Sequence, residues 1–374
     1  MAGKTDRRVV LEVSLGALRR NYARISEATA PSLVISVLKA NAYGLGVRPI
    51  AETLAKAGTA AFGVAELNEA EELIDSGLPV LILGGVLPDE IPAAVEMGAV
   101  LPVTDPATAE AISRESRRRQ TITTCHFLVD TGMGRLGILA KDAVEVITRA
   151  VNLPGLNCAG IYSHFPMAYA ADNVVTRKQI NYFIALLKTL ESRDIAFDWR
   201  HIANSDAINN FPETCKPPFN CVRTGINLHG SFEMEGQRSL QLESVLTLKT
   251  KLVAVRRLPA GMTIGYGCTY TVPEDMPVGT VSAGYADGLP LALSNKGHVL
   301  VKGRPCPVLG RVSMDYTTVS LKNCPDAVPG DEVICLGGTG PDAISVEEWA
   351  RTKGTHAYDI ICSFGTRVER KYVE

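Results

Sequence analysis

From about residue 33 the chain alternates short apolar runs with longer amphipathic stretches, the order expected of βα units around a parallel sheet. The apolar runs are LVISVLK (33–39), AAFGVA (60–65), VLILG (80–84), AVLPVT (99–104), TTCHFLVD (123–130), CAGIYSH (158–164), WRHIAN (199–204) and NCVRTG (220–225), eight in all. Between them RPIAETLAKAG, ELNEAEELIDSG, DPATAEAISRES, KDAVEVITRAV and VVTRKQINYFIALLKTLESR carry helical spacing, and most close on Gly or a polar residue. Eight strands over about 190 residues is the count of a TIM-type (β/α)8 barrel; an open doubly wound sheet would give the same local signals.

After about residue 235 the texture changes to alternation without long helical intervals, as in SVLTLKTKLVAVRRL, TVSAGYADG, GHVLVKGRPCPVLGRVSMDYTTVSL and DEVICLGG. This predicts a mainly antiparallel β domain. The run RRVVLEVSL also reads as a strand, and a helical stretch, ALRRNYARISEAT, separates it from the first barrel strand. The expected division is therefore a barrel over 15–235, a β domain over 236–374, and an N-terminal strand within 1–14 that joins the β domain.

Composition narrows the class of partner. The 374 residues carry 38 Lys plus Arg against 40 Asp plus Glu, a formal net charge of -2, so no overall basic field exists for nucleic acid or an anionic membrane. The opening MAGKTDRRVVLEVSLGALRR is too charged for a secretory signal, and the most apolar region, 78–103, is broken by acidic residues, Pro and Gly. A cytoplasmic protein acting on a small molecule is the expectation. The nine cysteines are odd in number and form no CxxC, which fits neither a disulfide framework nor the usual zinc spacings, so no metal is expected.

The chemistry gathers where the first barrel strand ends. In VLKANAYGLG (37–46), Lys39 falls at the C-terminal end of that strand, the catalytic face of a TIM barrel. Partial burial there would lower an amine's pKa and suit it to Schiff-base formation. A lone strand-end lysine is more often simply solvated, so its company matters. Later strands end in DTGMGRLG with Arg135, SHF with His164, HIANSDA with His201, Asn204 and Ser205, and VRTGIN with Arg223 and Gly225. Singly these have ordinary readings as turn residues or core histidines. Together they describe a polar pocket. The final RTGIN also suits phosphate, because barrel phosphate sites use the loops after the last strands. Lysine, phosphate loop and arginine suggest pyridoxal phosphate. An arginine facing the pyridine nitrogen would leave that nitrogen largely unprotonated, and Arg223 is the candidate.

These motifs resemble the alanine racemase family of fold type III pyridoxal phosphate enzymes. The resemblance runs from LEVSLGALRRNY through VLKANAYG, DTGMGRLG, YSHF, ANSDA and VRTGI to IGYGCTYT, SAGYADG, GRVSMD and AYDIIC. It implies that Lys39 carries the cofactor and serves as one base. Tyr266 would be the other, presented by the partner subunit of a homodimer to the opposite face. A free tyrosine titrates near about 10, and Arg135 and His164 would supply the cationic surroundings that bring it into range. The same resemblance places Arg223 at the pyridine nitrogen with His201 holding its guanidinium, and Arg135 and Met314 at the substrate carboxylate. Tyr43, Ser205, Gly225, Ile226 and Tyr358 match phosphate ligands, and Tyr285, Arg311 and Asp315 line the entrance.

The match has departures. Leu45 stands where many members have His, and Leu128 where many carry a lysine that becomes carbamylated and orients the arginine of MGR. Ser313 replaces a common cysteine, and Thr224 a common Phe or Pro. None touches the two proposed bases, but the pocket around Met314 and Arg135 sets which side chains fit. The implied activity is interconversion of L- and D-alanine, supplying D-alanine for peptidoglycan. Racemisation of serine or a wider set, and a non-catalytic pyridoxal phosphate carrier, are the alternatives. Decarboxylation is disfavoured because its Cys-containing substrate loop is missing.

Overall fold

The structure, a computed structural model, describes residues 7–234 and 238–374. Residues 1–6 of the expected N-terminal segment, and the expected boundary at 235 and 236, lie outside the described residues. Two compact units are present. Leu18–Leu228 form one; Glu243–Glu374 form the other, together with His229–Met234 and the chain up to Ala17.

The first strand, β1 (Val10–Ser14), belongs to the second unit. In the first unit follow β2 (Leu33–Val37), β3 (Ala61–Val64), β4 (Val80–Ile82), β5 (Leu101–Val103), β6 (Thr123–Asp130), β7 (Ile138–Leu139), β8 (Leu156–Tyr162), β9 (Trp199–His201) and β10 (Cys221–Thr224). The order β4-β3-β2-β10-β9-β8-β6-β5 is parallel throughout, with β7 attached to β6. Leu81 and Val100 bridge the two ends: Ile82 N–H donates to Val100 O (3.0 Å) and Val100 N–H to Val80 O (2.9 Å). That closes the (β/α)8 barrel, and the open-sheet alternative is set aside. All eight apolar runs become barrel strands, although most are shorter than the runs themselves. Every residue of β3, β4, β5 and β10 is buried, as expected of strands covered on both faces.

The helices follow their apolar spacing. Val47–Ala57 buries Val47, Ile50, Ala51 and Leu54 along one stripe and ends at Gly58 in the left-handed region. Pro106–Arg119 is capped by Asp105, whose carboxylate accepts the Thr108 N–H at 2.9 Å. One expected helix is broken. ELNEAEELIDSG forms a short helix, Leu67–Glu71, and then a 3-10 turn, Ile74–Ser76. The chain tightens at Leu73, whose N–H bonds three residues back to Ala70 O, and Gly77 ends the turn.

In the second unit the strands are β11 (Leu246–Leu258), β12 (Thr263–Ile264), β13 (Tyr270–Thr271), β14 (Met276–Val281), β15 (His298–Val301), β16 (Arg304–Pro307), β17 (Thr317–Ser320), β18 (Glu332–Leu336) and β19 (Glu369–Val373). The main sheet runs β16-β15-β18-β11-β1-β19, with β14 and β17 continuing from β11. All its pairings are antiparallel except β1 with β19. Two helices, Val346–Lys353 and Ala357–Ile361, are additions to the expected β texture. Ser345 Oγ caps the first by accepting the Glu348 N–H (3.0 Å), and the buried Trp349 anchors it. Among the described residues no helix is long and apolar enough to cross a membrane, and no cysteine is disulfide-bonded.

Candidate active site

Lys39 does not end a strand directly. It opens a turn in which Ala40, Asn41, Ala42 and Tyr43 hold φ of 53°, 54°, 52° and 59° before Gly44 at 82°. Four successive L-residues in the left-handed region cost roughly 1–2 kcal/mol each, so the surroundings must over-determine the turn. They do. Ala42 N–H bonds to Leu38 O and Gly44 N–H to Ala40 O. Asn41 Oδ1 accepts the Val47 N–H at 2.7 Å. The Glu69 carboxylate takes the Ala40 N–H on one oxygen (2.5 Å) and the Ala65 N–H on the other (2.7 Å). Leu45, at the position of the family's histidine, is fully buried and contributes packing instead.

Strand β10 lies beside β2 in the register Arg223↔Ile35, so the loops carrying Lys39 and Gly225 leave neighbouring strands. The left-handed turn sends Tyr43 back across this gap: a Cβ built on Gly225 would lie 2.0 Å from the Tyr43 hydroxyl. Any side chain at 225 would therefore displace the Tyr43 hydroxyl. The Gly225 N–H donates to Ser205 Oγ at 3.0 Å, and Ile226 opens the following 3-10 turn. Tyr43, Ser205 and Gly225 thus meet, with Ile226 next in the chain, and bring two hydroxyls against a backbone that glycine leaves uncovered. That donor set, with the close backbone approach only glycine allows, fits the phosphate of pyridoxal phosphate.

Arg223 is 4% exposed, and its acceptors are all neutral. Nη1 donates to His201 Nδ1 (2.7 Å) and His201 O (3.1 Å); Nη2 donates to Ser163 O (2.7 Å), Ile202 O and His164 Nδ1 (both 3.3 Å). Tyr162 lies beneath the guanidinium at 5.4 Å and stacks on His201 at 4.9 Å and 4°. Burial pulls the Arg223 pKa down to about 10, far enough above neutrality that the charge persists. Guanidinium nitrogens only donate, which fixes a tautomer. His201 Nδ1 must accept, so its Nε2 carries the hydrogen and donates to His126 Nδ1, 3.1 Å away. His126 and His201 are both neutral, held there first by desolvation and then by the Arg223 charge. His164 is lowered too, by desolvation and then by Arg223, Arg135 and Lys39 in turn, so these three cations share one neighbourhood and the neutral His164 cannot supply the cationic surroundings expected of it.

Arg135 rides on a loop that is held without a carbamylated lysine. Asp130 Oδ1 accepts the N–H groups of Gly132, Met133 and Gly134. Strand β7 then pairs with β6 through Val129↔Ile138, and the Leu128 side chain packs so closely on Gly137 that a Cβ there would come within 2.8 Å of it.

The remaining expected residues lie in the second unit. Tyr266 sits on a 3-10 turn between Gly265 and Gly267, with Arg311 packed alongside both glycines, and is 74% exposed. Tyr285 begins the 3-10 turn Tyr285–Asp287, and its N–H bonds to Ser313 O in the loop that carries Met314 and Asp315. Ser313, in place of a cysteine, holds that loop by donating from Oγ to Tyr316 O at 2.7 Å. Tyr358, on Ala357–Ile361, is half-buried with its ring edge-on to His356.

Glu69, His126, Tyr162 and Gln179 escaped the sequence reading. His126 had one signal, a histidine on the strand TTCHFLVD whose neighbours are apolar; Gly160 makes room for it, since a Cβ there would meet the ring at 2.5 Å. Gln179 had none, being one polar position of the helix Val174–Glu191, yet it donates to Thr131 Oγ1 and His164 O.

This is a two-unit α/β-barrel protein with a lysine, a glycine-backed pair of hydroxyls and a buried arginine at the ends of the barrel strands. The chain matches the alanine racemase N-terminal domain over residues 13–232 and the alanine racemase C-terminal domain over 245–372. It is 40% identical to an alanine racemase of Desulforamulus reducens, over 97% of this chain and 98% of that one. Its fold is similar to that of an alanine racemase from Clostridium difficile (TM-score 0.91, 29% identity, 99% and 97% of the two chains). It is also similar to a histidine racemase from Leuconostoc mesenteroides (TM-score 0.89, 27% identity, 99% of each). The chain belongs to the alanine racemase family.

Proposed function

We propose that this protein is an isomerase that interconverts L- and D-alanine with pyridoxal phosphate at the barrel mouth. The observation that carries the reading is the left-handed turn of residues 40–43, which follows Lys39 directly and brings the Tyr43 hydroxyl against Gly225, in a chain alanine racemase-like over almost its whole length. When bound, the cofactor would withdraw electrons from the substrate's Cα and so acidify its hydrogen. Lys39 would hold the cofactor and move the Cα proton on one face. Tyr43, Ser205, Gly225, Ile226 and Tyr358 would bind the phosphate. Arg223, kept as a donor by the neutral His201, would direct an N–H at the pyridine nitrogen and leave that nitrogen unprotonated.

Tyr266 would move the proton on the other face, and Met314 would hold the substrate carboxylate beside Arg135, both from the partner subunit of a homodimer. Their exposure, 74% for Tyr266 and 52% for Met314, supports this: each is a large side chain held out on a short turn or loop. Tyr285, Arg311 and Asp315 would line the entrance. The setting would be the cytoplasm, with D-alanine destined for peptidoglycan.

The test is a panel of enantiopure amino acids incubated with the protein and pyridoxal phosphate and read by chiral chromatography, with solvent deuterium uptake at Cα. Alanine should be the best substrate in both directions. Lys39→Ala should abolish turnover and the visible cofactor absorbance, a loss above about 10⁴-fold in kcat. Retention of both in Lys39→Ala would overturn the assignment. The histidine racemase on the same fold gives substance to a second reading, a racemase of another amino acid. Serine or histidine turning over faster than alanine in the panel would establish it.

A further inference from the structure

The second unit contains a clamp that neither the fold nor the two-base scheme calls for. Arg367 lies just before β19 and reaches two segments far from it in sequence. Its Nε and Nη2 donate to the two oxygens of Asp287, at 2.6 and 2.8 Å, and its Nη1 donates to Asp315 Oδ1 at 2.8 Å. Asp287 is 2% exposed, and its Oδ2 also accepts the Gly284 N–H at 2.9 Å, so the carboxylate closes its own turn while gripping the arginine. Arg370 braces the segment behind by donating to Phe364 O, Gly365 O and Val368 O.

What the clamp joins is the turn carrying Tyr285 and the loop carrying Met314. Their backbones touch directly. Tyr285 N–H donates to Ser313 O (3.0 Å) and Ala286 N–H to Met314 O (3.1 Å). A Cβ on Gly284 would come within 2.2 Å of Ser313 O and 2.4 Å of Met314 O. Two backbone hydrogen bonds between surface segments would open readily by themselves. A bidentate arginine–carboxylate pair with one partner buried is a far stiffer tie, and the third bond to Asp315 extends it across both segments. Tyr285 and Met314, meanwhile, remain 46% and 52% exposed. The segments are rigid and their large side chains are left in the open, which suits residues ordered for binding.

We propose that Arg367 is a positioning residue for substrate recognition: by tying Asp287 to Asp315 it fixes the relative placement of Tyr285 and Met314. This rests on the racemase reading, in which Tyr285 lines the entrance and Met314 holds the substrate carboxylate. The clamp acts on binding and leaves proton transfer at Lys39 and Tyr266 alone, so it makes its mark on KM.

Three variants of the full chain, loaded with cofactor, test it: Arg367→Lys, which keeps the charge and loses the fork; Arg367→Met; and Asp315→Asn, which spares the buried carboxylate and leaves one arm a weaker, uncharged acceptor. Arg367→Lys and Asp315→Asn should each raise KM for alanine about fivefold and Arg367→Met about twentyfold, with kcat within about threefold and the cofactor absorbance unchanged. Hydrogen exchange at the Tyr285 and Ala286 amides should quicken at least about tenfold in Arg367→Lys, with strand Thr123–Asp130 unaffected. If Arg367→Met does not fold, because Asp287 is left buried and unpaired, the other two variants decide. An unchanged KM in both, or unchanged exchange at 285 and 286, overturns the proposal. A wild-type protein that fails to racemise alanine overturns the racemase reading instead, and the exchange measurement still decides the clamp.

Discussion

Two arginines, one in each unit, are each held by several acceptors, and they are held in opposite ways. Arg367 meets two carboxylates, so its charge is spent on the fold. Arg223 meets backbone carbonyls and two histidines held neutral; none of its acceptors carries a negative charge. Burying a cation without a counterion is costly, and a site selected for stability alone would supply a carboxylate or replace the arginine. Its environment instead orients the guanidinium and leaves its field available to something else. The two histidines serve this end because they accept hydrogen bonds without neutralising the charge.

Removing Arg223 is the severest way to break that contrast. Arg223→Met should lower kcat/KM for alanine by at least about a thousandfold and move the cofactor absorbance. Stability should change by no more than about 2 kcal/mol, because relief of desolvation offsets the hydrogen bonds lost by Ser163 O, Ile202 O and His201. Denaturant unfolding beside steady-state kinetics checks it. A loss of stability above about 4 kcal/mol with kcat/KM intact would make Arg223 a structural residue and remove the contrast.

A milder perturbation acts on the cradle next to it. Gly225→Ala puts a methyl where the Tyr43 hydroxyl stands, at 2.0 Å, and one of the two must move. The backbone on either side is fixed by β10 and by the bond from Gly225 N–H to Ser205, so Tyr43 gives way. Affinity for pyridoxal phosphate should fall by about ten- to a hundredfold, with kcat of the saturated enzyme changed far less. Titration of apoprotein with the cofactor, followed by absorbance, measures this; an unchanged Kd would place the phosphate elsewhere.

The barrel was legible because its strands are largely covered on both faces and therefore write short, mainly apolar runs into the chain, with amphipathic helices between. The barrel's candidate residues stood out because polar groups cluster at its strand ends, while those of the second unit came from the family resemblance alone. What holds them was not. Little in LKANAYG announces a left-handed turn, since Ala40 and Ala42 disfavour it and a single Asn41 is a weak signal; a carboxylate at Glu69 secures it from the next βα unit. Arg367 and Asp287 are separated by 80 residues, and their pairing exists only once the second unit has folded. The helices Val346–Lys353 and Ala357–Ile361 were hidden for a different reason: each is only about one or two turns, and the strand-like alternation before them dominates the pattern.

The subtlest difference between the two arginine environments is one of protons. His126 titrates at about 3 in the folded protein, depressed by burial and then by Arg223, against about 6.5 for an unfolded histidine. Between those values the unfolded chain binds a proton that the folded chain refuses. This contribution to stability is complete above about pH 6.5 and is lost as the pH falls toward 3, at about 1.4 kcal/mol per pH unit. His201 and His164 are shifted the same way and add to the slope. In His126→Asn the amide oxygen stands in for Nδ1 as the acceptor for His201, while the titrating group is gone. Activity at pH 8 should therefore stay within about threefold of the parent. The fall in stability between pH 6 and pH 5 should be shallower by about 1.4 kcal/mol, as measured by urea unfolding at the two values. An unaltered slope would mean that His126 already carries its proton in the folded state. The acceptor chain from His126 through His201 to Arg223 would then be wrong, and with it the reason Arg223 keeps its charge unspent.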